Sequence, residues 1–238
     1  KDKNKTHKLS DLINELNDEK DLKRIRYTTS HPKDVTKDLI EAHKFCNKLM
    51  PILHLPVQSG STKILNSMNR KHNIDEYLNT IYQLKEAKPG IKFSSDFIIG
   101  YPGETEEDFN ETLKLINDIH FINSYSFIFS PRPGTSASNL NTVSTDKSKI
   151  RLIKLQTMLE KINAENKKKS LHQSIEVLFE NKLKNQNKYF GRDKFLNSVI
   201  VESNQNLSGQ LLNVEIKNFN HNSLFGDIIN NTTKIHAA

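Results

Sequence analysis

Four polar clusters recur along this chain, each directly after a β-prone run. They are Thr28-Thr29-Ser30-His31-Pro32, Pro56-Val57-Gln58-Ser59-Gly60-Ser61, Gly100-Tyr101-Pro102-Gly103-Glu104 and Ser130-Pro131-Arg132-Pro133-Gly134-Thr135. In α/β folds ligands gather at the carboxyl ends of strands, where glycine, proline and hydrogen-bonding side chains form the rim. One such cluster is ordinary turn chemistry; four in succession point to one working face. Asp96 lies inside the run IKFSSDFIIG. A charge within a strand is costly unless it is paired, so Asp96 either faces a ligand or polar lumen or pairs with Arg24, Arg26 or His54.

Glu104, Glu106, Glu107 and Asp108 crowd the start of the following helix. The helix dipole favours carboxylates there. The same charges repel phosphate, which excludes a phosphate-binding loop or dinucleotide fingerprint and suits a neutral or cationic ligand. His31 and His54 stand at strand ends with no cysteine or carboxylate triad beside them, the pattern of structural histidines.

The elements that must carry these residues alternate. Residues 24–29, 52–57, 91–100 and 123–130 read as strands. Helical spacing covers 34–50, a short segment from Ser61, then 73–88 and 105–120. Thr105 and Asp108 are placed to form a capping box. The alternation predicts parallel strands with helical crossovers. Residues 144–170 read as one long helix, capped by Ser144 or Thr145. Five short β-prone runs after residue 172, separated by Asn-, Ser- and Gly-rich turns, predict a small antiparallel barrel. The tail NNTTKIHAA reads as frayed. Cys46 falls on the apolar face of its helix and reads as core.

Composition narrows the classes further. Hydrophobic residues make up 35% and charged residues 26%, as in a water-soluble globular chain with a core. No apolar run is long enough to span a bilayer. One cysteine excludes an internal disulfide framework or a cysteine-ligated cluster made by this chain alone, and suits a reducing compartment. Of the net charge of +7, residues 144–170 hold +5, from eight basic and three acidic residues. That helix is either a solvated face or a stripe that meets a polyanion.

RIRYTTSHP, LHLPVQSGS, SSDFIIGYPGET and SYSFIFSPRPGT, in this order and spacing, resemble the C-terminal half of the radical S-adenosylmethionine methylthiotransferases, in their MiaB branch, which modifies tRNA. FGRD, NSVIVE and GQLLNVEIKNFNHNSLFGDII resemble the terminal TRAM domain of that family. The resemblance implies an α/β fold, the second half of a radical SAM (βα) barrel at 1–170 with the basic helix 144–170 as connector, then an OB-like five-stranded TRAM barrel at 171–238. It implies a fragment that starts after the second barrel strand, without the N-terminal half.

The activity implied is methylthiolation of C2 of an N6-isopentenyladenosine beside the anticodon. The cofactors implied are S-adenosylmethionine and two [4Fe–4S] clusters whose ligands lie outside this chain. No catalytic or metal-ligating residue is expected here, so the chain is expected to be inactive alone. Gln58, Ser59, Asp96, Gly100, Glu104 and Arg132 are the implied cofactor-binding residues. Lys147, Lys149, Arg151, Lys154, Lys167, Lys168, Lys169 and Arg192 are the expected RNA contacts. The implied partners are tRNA and the missing half, in a cytoplasmic enzyme that is a monomer at full length. A non-catalytic RNA-binding module is the competing reading. So are related branches acting on threonylcarbamoyl-adenosine or on a ribosomal protein.

Overall fold

The computed structural model describes residues 7–28 and 31–229. The tail from 230 onward and the strand-end residues Thr29 and Ser30 lie outside the described residues. The chain divides into two compact units, Lys1–Ile162 and Asn163–Ala238.

In the first unit helices α1 (Leu9–Asp18), α2 (Lys37–Phe45), α3 (Thr62–Ser67), α4 (Ile74–Ala87) and α5 (Glu106–Ile119) alternate with strands β1 (Ile52–His54), β2 (Lys92–Ser94), β3 (Asp96–Ile99) and β4 (Tyr125–Ile128). Every strand pairing in this unit is parallel. A lone bridge joins Ile25 to Leu49, β1 pairs with β2, Gln58 bridges to Phe97, and β3 pairs with β4.

Several boundaries differ from expectation. Among the described residues of the first strand, expected at 24–29, one bridge is made, at Ile25, held by Ile25 N–H to the Lys48 carbonyl and Met50 N–H to the Ile25 carbonyl. The helix expected at 34–50 ends at Phe45, after a 3-10 turn at Pro32–Asp34, because 46–50 returns to meet Ile25. Cys46 is therefore a helix cap, buried against Ile13, Leu39 and Leu49. The run 91–100 is interrupted at Ser95, where side chains replace the ladder. The Ser95 hydroxyl accepts from Val57 N–H (2.9 Å), and Ser95 N–H donates to the Ser124 hydroxyl (3.0 Å).

Strand alternation then sorts the residues. Leu53, Phe93, Phe97 and Ile99 pack with Tyr77, Ile81 and Leu84 of α4 and Phe109, Leu115 and Ile116 of α5. His54, Ser94, Asp96 and Ile98 point to the opposite face. One side of the sheet makes the core and the other is left for polar groups.

Helix α6 spans Thr145–Lys169, and its residues Leu155, Leu159 and Ile162 join the first unit's core. The second unit holds β5 (Ser174–Lys182), β6 (Lys188–Arg192), β7 (Ser198–Glu202), β8 (Leu211–Phe219) and β9 (Ser223–Ile228), closed in the order β5-β6-β7-β9-β8. The barrel is not wholly antiparallel as expected: β7 and β9 run parallel. Val177, Phe179, Val199, Val214 and Leu224 fill it. Gly191 and Gly226 lie where a Cβ would come within 2.6 Å or less of the β5 or β8 backbone. Among the described residues no helix is long and apolar enough to cross a membrane.

Candidate functional site

A cavity of about 710 Å³ opens on the polar face of the parallel sheet, within the size range of small-molecule sites. Gln58, Asp96 and Arg132 line it, Gln58 from the segment after β1, Asp96 from the start of β3 and Arg132 from the loop after β4. Arg70, Tyr101 and Phe127 are also part of its wall.

Gln58 is buried and holds φ at 77°, a left-handed conformation uncommon outside glycine and often found at ligand sites. Bonds on both sides impose it. Gln58 N–H donates to the Asp96 carbonyl (3.0 Å), and Ile98 N–H donates to the Gln58 carbonyl (2.9 Å). Asp96 has found one of the partners foreseen for it: His54 Nε2 is 3.5 Å from Asp96 Oδ2, while His54 Nδ1 contacts the Ser94 hydroxyl at 2.9 Å. At 3.5 Å this is a loose contact, and the carboxylate stays part-exposed on the cavity wall.

The other three expected cofactor residues lie outside that lining. Ser59 is buried against Thr112 Oγ1 (3.4 Å) and accepts from Ser61 N–H. Gly100 has φ 73°, packs on Ser148, and donates its N–H to Glu104 Oε2 (3.0 Å). Glu104 is buried and meets Arg151 Nη1 at 2.7 Å. Burial raises the Glu104 pKa, against the opposing pull of Gly100 N–H and Arg151. The 2.7 Å contact to a guanidinium keeps the pair ionised at neutral pH.

The acidic helix start thus serves the scaffold. The capping box foreseen at Thr105 and Asp108 is present. Asp108 also accepts from Lys63 Nζ (2.7 Å) and Ser61 Oγ (2.7 Å). Burial alone would raise the Asp108 pKa; donors from Lys63, Ser61 and Thr105 outweigh it and hold the carboxyl well below the usual range.

Of the basic residues, Lys147, Lys149, Lys154, Lys168 and Lys169 are exposed. Arg151 is not: its side chain is 3% exposed, spread across Glu104, Glu106 and the Phe109 ring. It is a packing residue and offers no surface charge. Lys167 is half-buried and donates to the His221 carbonyl. Arg192 stacks on Phe190 and pairs with Glu180 at 3.1 Å.

Sequence reasoning missed Arg70. It lies shortly after α3, past the cap Met68 and behind Asn69 in the left-handed region (φ 55°), and belongs to none of the four strand-end clusters. Its asparagine is the one available signal, a common helix C-terminal residue. Among the described residues no group of three or more His, Cys, Asp or Glu could hold a metal ion.

Residues 4–116 match the Radical SAM superfamily. A tRNA-2-methylthio-N(6)-dimethylallyladenosine synthase of Pelagibacter ubique (strain HTCC1062) is 54% identical over 231 residues, 97% of this chain and 52% of that protein. Proteins of the same name from Wolbachia pipientis subsp. Culex pipiens and Bartonella tribocorum are 44% and 42% identical over 92% and 95% of this chain. Among solved structures, Elp3 of the archaeon Methanocaldococcus infernus aligns at TM-score 0.42 and 19% identity over 56% of this chain and 32% of that one, too slight a likeness to bear on the fold. The chain spans about half the length of the curated relatives it matches. With the superfamily signature on its first half and this relatedness along nearly all of its length, the chain belongs to the radical SAM proteins, in the family of these synthases.

Proposed function

We propose that this chain is the cofactor- and RNA-binding part of a tRNA methylthiotransferase, an enzyme that places a methylthio group on C2 of N6-isopentenyladenosine. The observation that carries it is the convergence of Gln58, Asp96 and Arg132 on one cavity, in a chain so closely related to these synthases. The parallel segments at Ile25, 52–58, 92–99 and 125–128 pair in chain order, as the second half of a (βα) barrel does. The strand order of the second unit, first-second-third-fifth-fourth with one parallel pair, supports an OB-like TRAM barrel on 171–238.

The cavity residues fit S-adenosylmethionine by charge. Asp96 complements a sulfonium, Gln58 offers an amide to the polar edges, and Arg132 offers a guanidinium to a carboxylate. S-adenosylmethionine supplies an activated methyl group when bound, and these residues orient it. Iron–sulfur clusters do not fit the described residues: Cys46 is buried and donates to Asn14 Oδ1 at 3.1 Å. No chemical step is therefore assigned to this chain alone. RNA contact rests on Lys147, Lys149 and Lys154 in the first unit and Lys168 and Lys169 in the second. The working setting is a cytoplasmic, monomeric full-length enzyme.

Calorimetric titration with S-adenosylmethionine tests this reading. Binding by the wild-type chain that weakens tenfold or more in Gln58→Ala and Asp96→Ala supports it; absence of binding by the wild type overturns it. The absence of cluster ligands favours a second reading, an RNA-binding module without catalysis. Retention of RNA with no cofactor binding would select that one.

A further inference from the structure

We propose that the outward face of β6, β7 and β9 is a platform on which unpaired bases of an RNA strand stack. The inference rests on the RNA-binding reading above. It gives that binding a second place, on the barrel, and a mode that charge alone does not supply.

Strand register carries it. Phe190 of β6 pairs with Ile200 of β7, and Ile200 pairs with Phe225 of β9. Their chain neighbours Tyr189, Val199, Val201 and Leu224 are buried in the barrel core, so alternation turns the row outward. A sheet with one face in water carries polar residues on that face as a rule. Here the row is apolar and part-exposed, and none of its members is among the hydrophobic residues packed against the barrel core. The two phenyl rings stand on strands two apart, about 10 Å at the usual strand spacing.

The surroundings choose a nucleic acid. On β6 Phe190 stands between Lys188 and Arg192, which share its face. The Arg192 guanidinium lies over the Phe190 ring, 5.0 Å from its centroid. Bases stack on aromatic rings and on guanidinium planes alike. Lys188 and Arg192 are paired with Glu202 (3.3 Å) and Glu180 (3.1 Å), so the row itself holds no excess positive charge.

The further cations stand at its two ends. Lys182 closes β5 and Lys184 follows it in the turn before β6, while Lys194 lies in the turn after β6; all three are exposed. Asp193 fixes that second turn, its Oδ1 accepting from Phe195 N–H and Asn197 N–H, both at 2.8 Å. Lysines at both ends with rings between them complement a single strand, whose phosphates reach the ends while its bases lie on the rings. A duplex hides its base faces and gains nothing from the row.

Three probes titrated into the full chain test this: a short single-stranded RNA, the same strand with abasic sites, and an RNA duplex. The wild type should bind the base-bearing strand more tightly than the abasic one. Phe190→Ala and Phe225→Ala should each weaken binding of the base-bearing strand about fivefold to a hundredfold. Both should leave the salt slope, the abasic strand and the duplex unchanged, and Phe190→Tyr should keep wild-type affinity. RNA affinity unchanged in both alanine variants overturns the platform and leaves the RNA reading standing; no RNA binding by the wild type overturns both.

The wild-type NMR spectrum decides where a variant does not fold. Upfield shifts of the Phe190 and Phe225 ring protons on adding the base-bearing strand support stacking, and unshifted signals overturn it. A concentration-dependent dimer that Phe225→Ala abolishes, with RNA affinity unchanged, assigns the face to a second copy and overturns the platform.

Discussion

Replacing Arg151 with Met is expected to destabilise the first unit by about 3 kcal/mol at pH 7, and by much less at pH 5. Arg151 Nη1 holds Glu104 Oε2 at 2.7 Å and its Nη2 holds Glu106 Oε2 at 2.9 Å, with the Arg151 side chain 3% exposed and that of Glu104 1%. Glu106 is half-exposed, so its share is small. Glu104 decides the result. Without Arg151 the Glu104 carboxylate keeps only Gly100 N–H, and an orphaned buried charge costs about 3–5 kcal/mol. Protonation sets the ceiling. Taking up a proton at pH 7 from an unfolded pKa of 4.5 costs about 3.4 kcal/mol, at roughly 1.36 kcal/mol per pH unit.

The pH sign follows from that proton. In the variant the folded-state pKa of Glu104 rises further above its unfolded value, so the folded state binds more protons. The stability of the variant is therefore fully present below about pH 4.5 and is lost as pH rises through the raised value. Met keeps most of the buried volume over Phe109. Urea denaturation followed by circular dichroism at pH 5 and pH 7 measures the difference. For a unit of this size the melting temperature should fall by roughly 6–12 °C at pH 7. Arg151→Met/Glu104→Gln should recover most of the loss and flatten its pH dependence. A loss under about 1 kcal/mol, or a loss independent of pH, refutes the buried-pair reasoning. So does an RNA salt slope that falls in Arg151→Met as it does for a surface lysine.

Lys147→Ala, Lys149→Ala and Lys154→Ala should each weaken RNA binding evenly across sequences and lower the salt slope by about one; unchanged slopes in filter-binding titrations would remove these lysines from the contact surface. His72 is buried, both its ring nitrogens lack a hydrogen-bond partner among the described residues, and burial lowers its pKa to about 4. The unfolded state then binds more protons, so stability should fall as pH drops from about 6.5 to 4, and His72→Leu should reduce that slope without destabilising the chain at pH 7. A Cβ on Gly60 would lie 2.5 Å from Thr112 Cα and 2.6 Å from the Glu111 carbonyl oxygen. Gly60→Ala should therefore cost about 1–3 kcal/mol in denaturation and weaken cofactor binding through Gln58.

The parts of this molecule that depend on local pattern were legible in its sequence. The capping box at Thr105 and Asp108, the five β-runs of the second unit and the odd position of Asp96 all follow from spacing within a few residues. Long-range partnerships were not. Glu104 finds Arg151 across 47 positions, so two residues expected at separate binding surfaces instead bind each other. The interruption at Ser95 depends on hydroxyl bonds involving Val57 and Ser124, and nothing in IKFSSDFIIG marks which serine takes that place. Arg70 escaped because it sits after a helix, where rim residues are not sought.

These long-range pairings change what the acidic turn is for. Glu104, Glu106 and Asp108 had suggested an anionic rim facing a cationic ligand, yet each is spent on a protein cation: Arg151, Arg151 and Lys63. Glu104 and Glu106 hold Arg151 of α6, and Asp108 secures the neighbouring loop. Asp108 accepts from Ser61, and Thr112, one turn further along α5, accepts from Gly60 N–H at 2.8 Å. The segment from Ser59 to Ser61 is thereby tied to α5, while the Gln58 backbone is bonded to Asp96 and Ile98 on β3. A left-handed glutamine costs on the order of 1 kcal/mol, and only a residue held from both sides keeps it. Asp108 acts on the cavity at one remove, by helping to fix the loop next to Gln58, and Asp96 is the acid on the lining.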